Sequence, residues 1–401
     1  MPVRLLAAGS NSHGQLSLGV NAPEDAHRLS EAQFEQAPAS VDAIACGATH
    51  MLLLGRDSTG KSTIWGVGSN SRGQLRPSSP CSELLTALQP LQDSALPGEV
   101  DVRAIATSWE TSLVAIAETQ AGACDSILVF GSNDWGEHGH DTGSSSISVI
   151  ELRRSLPQAN GISLEALHAG PRCAAALVQA QTPSGRLERH VIAWGAARHG
   201  QFGPSMRRLA PTRVDLTGGN QLEPVALSLG SDHAAYLLQD PSGRQQVVIQ
   251  GSTRRGQFVP DENGTSPPRR VVSFPSQEPS RVLSLGCTWS GVYVLVENAQ
   301  DGRHILAQGA DDHGQLANTR SGDDHWHRID ARSCKHLVCG SEHVLLSDDA
   351  RVVGWGWNEH GNLADGTTDD VATPTRVYDG AVRPFAGNAT TFLLVSDQQA
   401  I

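Results

Sequence analysis

The hydrophobic positions of this chain fall in short runs rather than long stripes. MLLL (51–54), SLVAI (112–116), CAAALV (173–178), AAYLL (234–238), GVYVLV (291–296) and TFLLV (391–395) each follow a Gly, Ser, Asn or Asp within four residues. Apolar runs of this length between turn residues predict β-strands. No segment carries a long 3.6-residue period, although SELLTALQPL (82–91) is consistent with one or two helical turns.

The turns between the runs repeat. A pattern of Gly, polar residues, Gly, then Gln with Leu or Phe recurs in AAGSNSHGQLSLG (7–19), WGVGSNSRGQL (65–75), VFGSNDWGEHG (129–139), AWGAARHGQFG (193–203), IQGSTRRGQF (249–258), AQGADDHGQL (307–316) and GWGWNEHGNL (354–363). The spacing averages about 58 residues, a period that points to a repeat architecture. Between these turns lies a second signature, an apolar–small–Gly turn followed by a strand, as in IACGATHMLLL (44–54), LSLGSDHAAYLL (227–238) and LVCGSEHVLLS (337–347). It too occurs seven times, the last copy being PFAGNATTFLLV (384–395).

Strands before and after both turns give four per unit. Four-stranded units repeated around an axis are propeller blades, which keep sheet edges short and protected. The chain opens on one half-signature and closes on the other, and the two together complete one blade. The expected fold is therefore all-β: a single seven-bladed β-propeller domain over 1–401, four strands per blade, sealed by pairing of the N- and C-terminal strands. On this reading WGWNEHGNLADG (355–366) is a turn before it is a site: Gly356 and Gly361 give backbone freedom, and Asn358 bonds its own backbone.

Composition narrows the function. The seven cysteines form no C-x-x-C pair, which argues against zinc sites and a disulfide framework and for a reducing compartment. No apolar run is long enough to span a membrane or serve as a signal core. A net charge of −12 without clustered Lys or Arg disfavours direct nucleic-acid binding, the short RRSLP (153–157) and STRRGQ (252–257) notwithstanding. The expected compartment is the cytoplasm, with the nucleus second.

Most tempting residues are absorbed by the repeat. His13, His199, His313 and His360 share one loop-tip position with Arg72, Trp135 and Arg255. His50, His233 and His343 share a second, aligned with Glu110, Cys173, Trp289 and Thr390, and are expected to be structural and hydrogen-bonded. HWHR (325–328) reads as a solvated loop, and N-G-T (263–265) as a chance sequon. GRDSTGKST (55–63) has phosphate-loop spacing but runs at once into a strand, so it reads as a hairpin. No nucleophile elbow is present. Catalytic, cofactor and metal sites are expected to be absent. What remains is Trp109 and Glu110 in SWETS, Trp135 in NDWGEHG and Trp289 in CTWSG, which break the repeat and are the candidate partner-binding residues.

The period and the paired G-x-N-x-x-G-Q-L-G and apolar-C-G-x-x-H signatures resemble the regulator-of-chromosome-condensation family of seven-bladed propellers along the whole chain. That family includes guanine-nucleotide exchange factors for a Ran-type GTPase, which dock on chromatin through a basic N-terminal tail. This sequence shows neither that tail nor an obvious long hairpin insertion, so exchange activity stands as the alternative. Chain length, worn repeats, the W-E-x-S variant at 109–112 and G-W-N at 356–358 look closer to the bare fungal alpha-tubulin-suppressor, or killer-toxin-insensitivity, propellers. That likeness implies a non-catalytic regulator without cofactors, paired with a small metal-carrying, zinc-ribbon-like electron-transfer protein. The pair would serve Elongator-dependent tRNA modification and diphthamide synthesis, with the Elongator complex as a further partner. A scaffold or ubiquitin-pathway adaptor is a third reading.

Overall fold

The computed structural model describes residues 3–75, 84–91, 101–117, 125–140, 147–203, 206–216, 222–260, 268–273, 280–319 and 325–395. Cys81, Cys124 and the 263–265 sequon lie outside them. The described strands form seven antiparallel sheets of four. Blade 1 spans 40–90, blade 2 101–151, blade 3 161–213, blade 4 223–273, blade 5 281–330 and blade 6 336–379. Blade 7 joins Val382–Ala386 and Thr390–Val395 to Arg4–Ser10 and Asp25–Glu31. Leu5 pairs with Leu394 and Gly9 with Thr390, so the ring closes as expected between the two ends.

Burial explains why the strands read as unbroken apolar runs. Alternate residues of one strand face the two neighbouring blades: in His50–Arg56, Met51 and Leu53 pack toward blade 7 while Leu52 and Leu54 pack toward blade 2. Each blade–blade junction holds one apolar cluster of this kind. A fully buried Leu contributes about 1.5–3 kcal/mol, and here a blade obtains that burial only from its neighbours.

Polar stitches fix the junctions. The Trp194 indole N–H donates to the Glu137 carbonyl of blade 2, and the Trp355 indole to the Gln315 carbonyl of blade 5, each at 2.8 Å. The Tyr236 hydroxyl donates to the Gln201 carbonyl of blade 3 at 2.7 Å.

Two local expectations are corrected. Leu84–Pro90 is not helical but the fourth strand of blade 1, paired with Ser62–Ser69, because edge pairing overrides a modest helix preference. HWHR is not a solvated loop: Trp326 is buried against the blade 4–5 cluster, and His327 begins a strand with its Nδ1 2.9 Å from the Thr319 carbonyl. GRDSTGKST forms the expected hairpin, with the Asp57 carboxylate accepting the N–H groups of Thr59 and Lys61.

Candidate protein-binding face

In an up-and-down blade the turns joining strands one to two and three to four lie at the same edge. Both glycine signatures therefore project onto one face of the ring. In the three-to-four turn the leading Asn or Asp accepts an N–H five residues on: Leu16 to Asn11, Leu75 to Asn70, Leu316 to Asp311, Leu363 to Asn358, at 2.8–3.0 Å. The Gln accepts the N–H two residues before it, as Gln74 does from Arg72 at 2.7 Å. Gly356 has φ 103°, and a Cβ there would meet the Glu342 carbonyl at 2.4 Å. WGWNEHGNLADG is thus built as a turn.

The one-to-two turns show why Gly precedes His. The ring of His50 fills the space where a Cβ on Gly47 would sit, and His233 with Gly230 and His343 with Gly340 do the same. Blades with Ser108 or Thr288 instead of Gly carry Thr111 or Gly291 instead of His. The hairpin bonds Ser108 N–H to Thr111 O and Thr288 N–H to Gly291 O fix that register. This shifts the sequence alignment by one residue in blade 2 and two in blade 5. Thr111 and Gly291, not Glu110 and Trp289, are the equivalents of the histidines.

The corrected register places Trp109 and Trp289 at the same tip position, where the other blades carry Ala48, Pro171, Ser231, Ser341 and Asn388. Their backbones are tied into a ring around the axis: Ala48 N–H to Trp109 O at 2.9 Å, Trp109 N–H to Pro171 O at 3.2 Å, Ser231 N–H to Trp289 O at 3.2 Å and Trp289 N–H to Ser341 O at 2.6 Å. Pro171 has no N–H to pass on and interrupts the series. Although blades 2 and 5 are three apart, the two indoles meet with centroids 5.6 Å apart and planes 31° apart. Trp109 remains 45% exposed. A cavity of about 110 Å³ lies at this end of the axis, lined by Trp289 and by Cys46, Cys287 and Cys339 at matching strand ends. Burial pushes the Cys46 and Cys287 thiols up to about 12 and Cys339 well above the usual range. These are neutral thiols, poor nucleophiles and poor metal ligands.

The other two candidates stand apart from the pair. Glu110 is half-buried and held by Arg72 at 3.7 Å, which also reaches Asp134 at 3.8 Å. Trp135 is half-buried, with the Arg172 and Arg198 guanidiniums 4.6 and 4.7 Å from its ring centroid. The face is also electrically divided. On blades 1 to 3 Arg72, Arg172, Arg198 and Arg208 are interleaved with Glu110 and Asp134, whereas the turns of blades 5 and 6 on this face carry Asp311, Asp312, Asp365, Asp369 and Asp370 with no Arg or Lys among their described residues.

Sequence reasoning missed Trp357, which sits between His313 and His360 with ring centroids 6.4 and 5.4 Å away. The signal was available: Trp357 occupies a column otherwise filled by Ser10, Ser69, Ser132, Ala196, Ser252 and Ala310. The loop-tip histidines are also more than solvated tips. His313 Nδ1 lies 2.7 Å from Asp370 and His360 Nδ1 2.9 Å from Asp25, each bridging to the next blade. Among the described residues no group of three or more His, Cys, Asp or Glu is placed to hold a metal, and no helix is long and apolar enough to cross a membrane.

No protein-family model matches the chain. Secretion-regulating guanine nucleotide exchange factor of Bos taurus is 25% identical over 93% of this chain and 78% of its own length. An RCC1 repeat-containing protein of Schizosaccharomyces pombe is 23% identical over 98% of this chain and 99% of its own. Among solved structures, Prp20p of Saccharomyces cerevisiae, described with its binding properties to Gsp1p and histones, superposes with a TM-score of 0.69 at 18% identity, covering 99% of this chain and 93% of that one.

The chain is an RCC1-like seven-bladed propeller. For this RCC1-like propeller the relatives correct three expectations. They are exchange factors and a propeller that binds Gsp1p and histones, so the small metal-carrying partner and the Elongator and diphthamide roles give way. The expectation of a protein without catalytic activity goes with them, because an exchange factor catalyses nucleotide release without making or breaking a covalent bond.

Proposed function

We propose that this RCC1-like propeller is a guanine-nucleotide exchange factor for a small GTPase of the Ran type, which it binds on the face carrying Trp109 and Trp289. The observation that carries the reading is the match to exchange factors of Bos taurus and Mus musculus over 93% of the chain. The chemistry asks for nothing the face lacks. An exchange factor accelerates release by binding the nucleotide-free GTPase more tightly than the loaded form, and by linkage it weakens nucleotide binding by the same factor. Rigid aromatic side chains on a fixed scaffold suit such a contact, because they bury large areas at little loss of side-chain freedom.

The test is the release of a fluorescent GDP analogue from a purified Ran-type GTPase. Catalytic amounts of the propeller should accelerate it, and a stable complex should form once nucleotide is stripped with a chelator. Release at the intrinsic rate, together with no complex in the stripped state, would remove this assignment.

A further inference from the structure

Trp135 and its two arginines do more than join blades. Arg172 comes from the one-to-two turn of blade 3, Arg198 from its three-to-four turn, and both lie against the indole that blade 2 presents between them. Both are exposed. Neither makes an ion pair among the described residues, in a chain with 42 acidic against 30 basic residues. Because both guanidiniums lie against one ring, the two cations are at most about 9 Å apart, comparable to a Debye length, so their positive potentials add and favour an anion that reaches both from the solvent side. Stacking on an aromatic ring also restrains each guanidinium while leaving its in-plane N–H groups free to grip an oxyanion. The arrangement is a preorganised two-pronged anion receptor.

Its surroundings select the anion. Glu110 and Asp134 on Arg72, and Asp232 beside His199, border the stack. Those carboxylates oppose a long phosphate backbone, which needs an extended basic track. A short acidic stretch carrying two carboxylates matches the two guanidiniums in number and charge and need not extend over the neighbouring carboxylates. The stack also adjoins the aromatic pair: Trp109 N–H and the Ser108 hydroxyl both donate to the Pro171 carbonyl, one residue before Arg172.

We propose that Arg172 and Arg198, held by Trp135, form a docking site for an acidic polypeptide segment of the protein partner, beside the apolar seat made by Trp109 and Trp289. This rests on the reading that this face meets the partner, and adds the charge of what lies over blades 2 and 3.

The experiment uses the full chain and a short fluorescein-labelled peptide of Asp and Glu with one central Leu, followed by anisotropy. Binding is expected at low ionic strength and should weaken steeply with salt. Arg172→Ala with Arg198→Ala should weaken it by about tenfold or more, as loss of charge-assisted hydrogen bonds implies. Trp135→Ala, which keeps both charges but removes their support, should weaken it less. Arg351→Ala, on the opposite face, should leave it unchanged. The inference is overturned if the peptide does not bind the wild type, if the double variant binds it equally well, or if an oligothymidylate binds more tightly through the same arginines. Thermal unfolding of each variant separates lost binding from lost fold. Because the readout contains no GTPase, failure of the exchange assay leaves this result standing, and failure here leaves the exchange assay standing.

Discussion

His360 Nδ1 lies 2.9 Å from a carboxylate oxygen of Asp25, a residue 335 positions away in the chain. The contact clasps blade 6 to the outermost strand of blade 7, the blade built from both chain ends. It is a third exposed on each side, so it is a latch rather than the source of closure. The source is apolar: Leu5, in the N-terminal strand, is fully buried at the junction of blades 7 and 1. Leu5→Ala should therefore lower unfolding stability by about 2–4 kcal/mol, and His360→Ala by less than about 1 kcal/mol. Urea unfolding followed by tryptophan fluorescence ranks the two. A larger loss from His360→Ala would show that the ring is held by its rim.

Glu137 stands where five of the other turns have Gln, and its carboxylate accepts the Trp135 N–H at 2.8 Å as those glutamines accept theirs. Burial raises its pKa to about 7. The unfolded chain ionises this group near its ordinary value of 4.5, so stability falls as pH rises from about 4.5 to 7 and stays lower above. Glu137→Gln keeps the acceptor and removes the charge. At pH 8 the variant should be more stable by on the order of 2–3 kcal/mol, with little difference at pH 4.5. An equal effect at both pH values would mean that ionisation is not responsible.

The buried histidines act in the opposite direction. Burial lowers His50 to about 3 and His233 and His343 to about 4. His50 Nε2 donates to the Ser112 hydroxyl, which itself donates to the Gln74 carbonyl, fixing the neutral tautomer. The unfolded chain takes up these protons near pH 6.5, so their stabilisation is complete above that value and is lost as pH falls toward 4. Each histidine should add a slope of about 1.4 kcal/mol per pH unit in that window. Unfolding midpoints at several pH values measure the slope. Replacing all three histidines with Gln should flatten it, and an undiminished slope would assign acid sensitivity elsewhere.

The sequence made the blades legible because each four-stranded unit repeats its own turn chemistry. Gly356 could be recognised from six other copies, and Asn358 from Asn11, Asn70 and Asn133. The strand 84–90 could not, since its helix-compatible run becomes a strand only through pairing with Trp65 and Gly68. Trp109 and Trp289 were visible as departures from the repeat. Their meeting was not, because it spans three blades and depends on hairpin registers that single-sequence alignment placed one or two residues off. Arg172 and Arg198 look like ordinary loop arginines until the fold brings the Trp135 ring against them.

The indole pair itself makes the last prediction. Trp109 is nearly half exposed and its ring meets that of Trp289, and neither belongs to a junction cluster, so removing either leaves the buried junction cores intact. Trp109→Ala and Trp289→Ala should each lower unfolding stability by about 1–3 kcal/mol, the pair contact together with the buried part of each ring. If the pair is a central contact for the GTPase, each should weaken the nucleotide-free complex by about thirtyfold, the scale of a 2 kcal/mol interface residue. Because the rings support one another, the double variant should lose less than the two single losses combined. Titration calorimetry on the stripped GTPase measures all three. Strict additivity would mean that the rings act as separate contacts, and undiminished binding in both single variants would move the interface away from the axis.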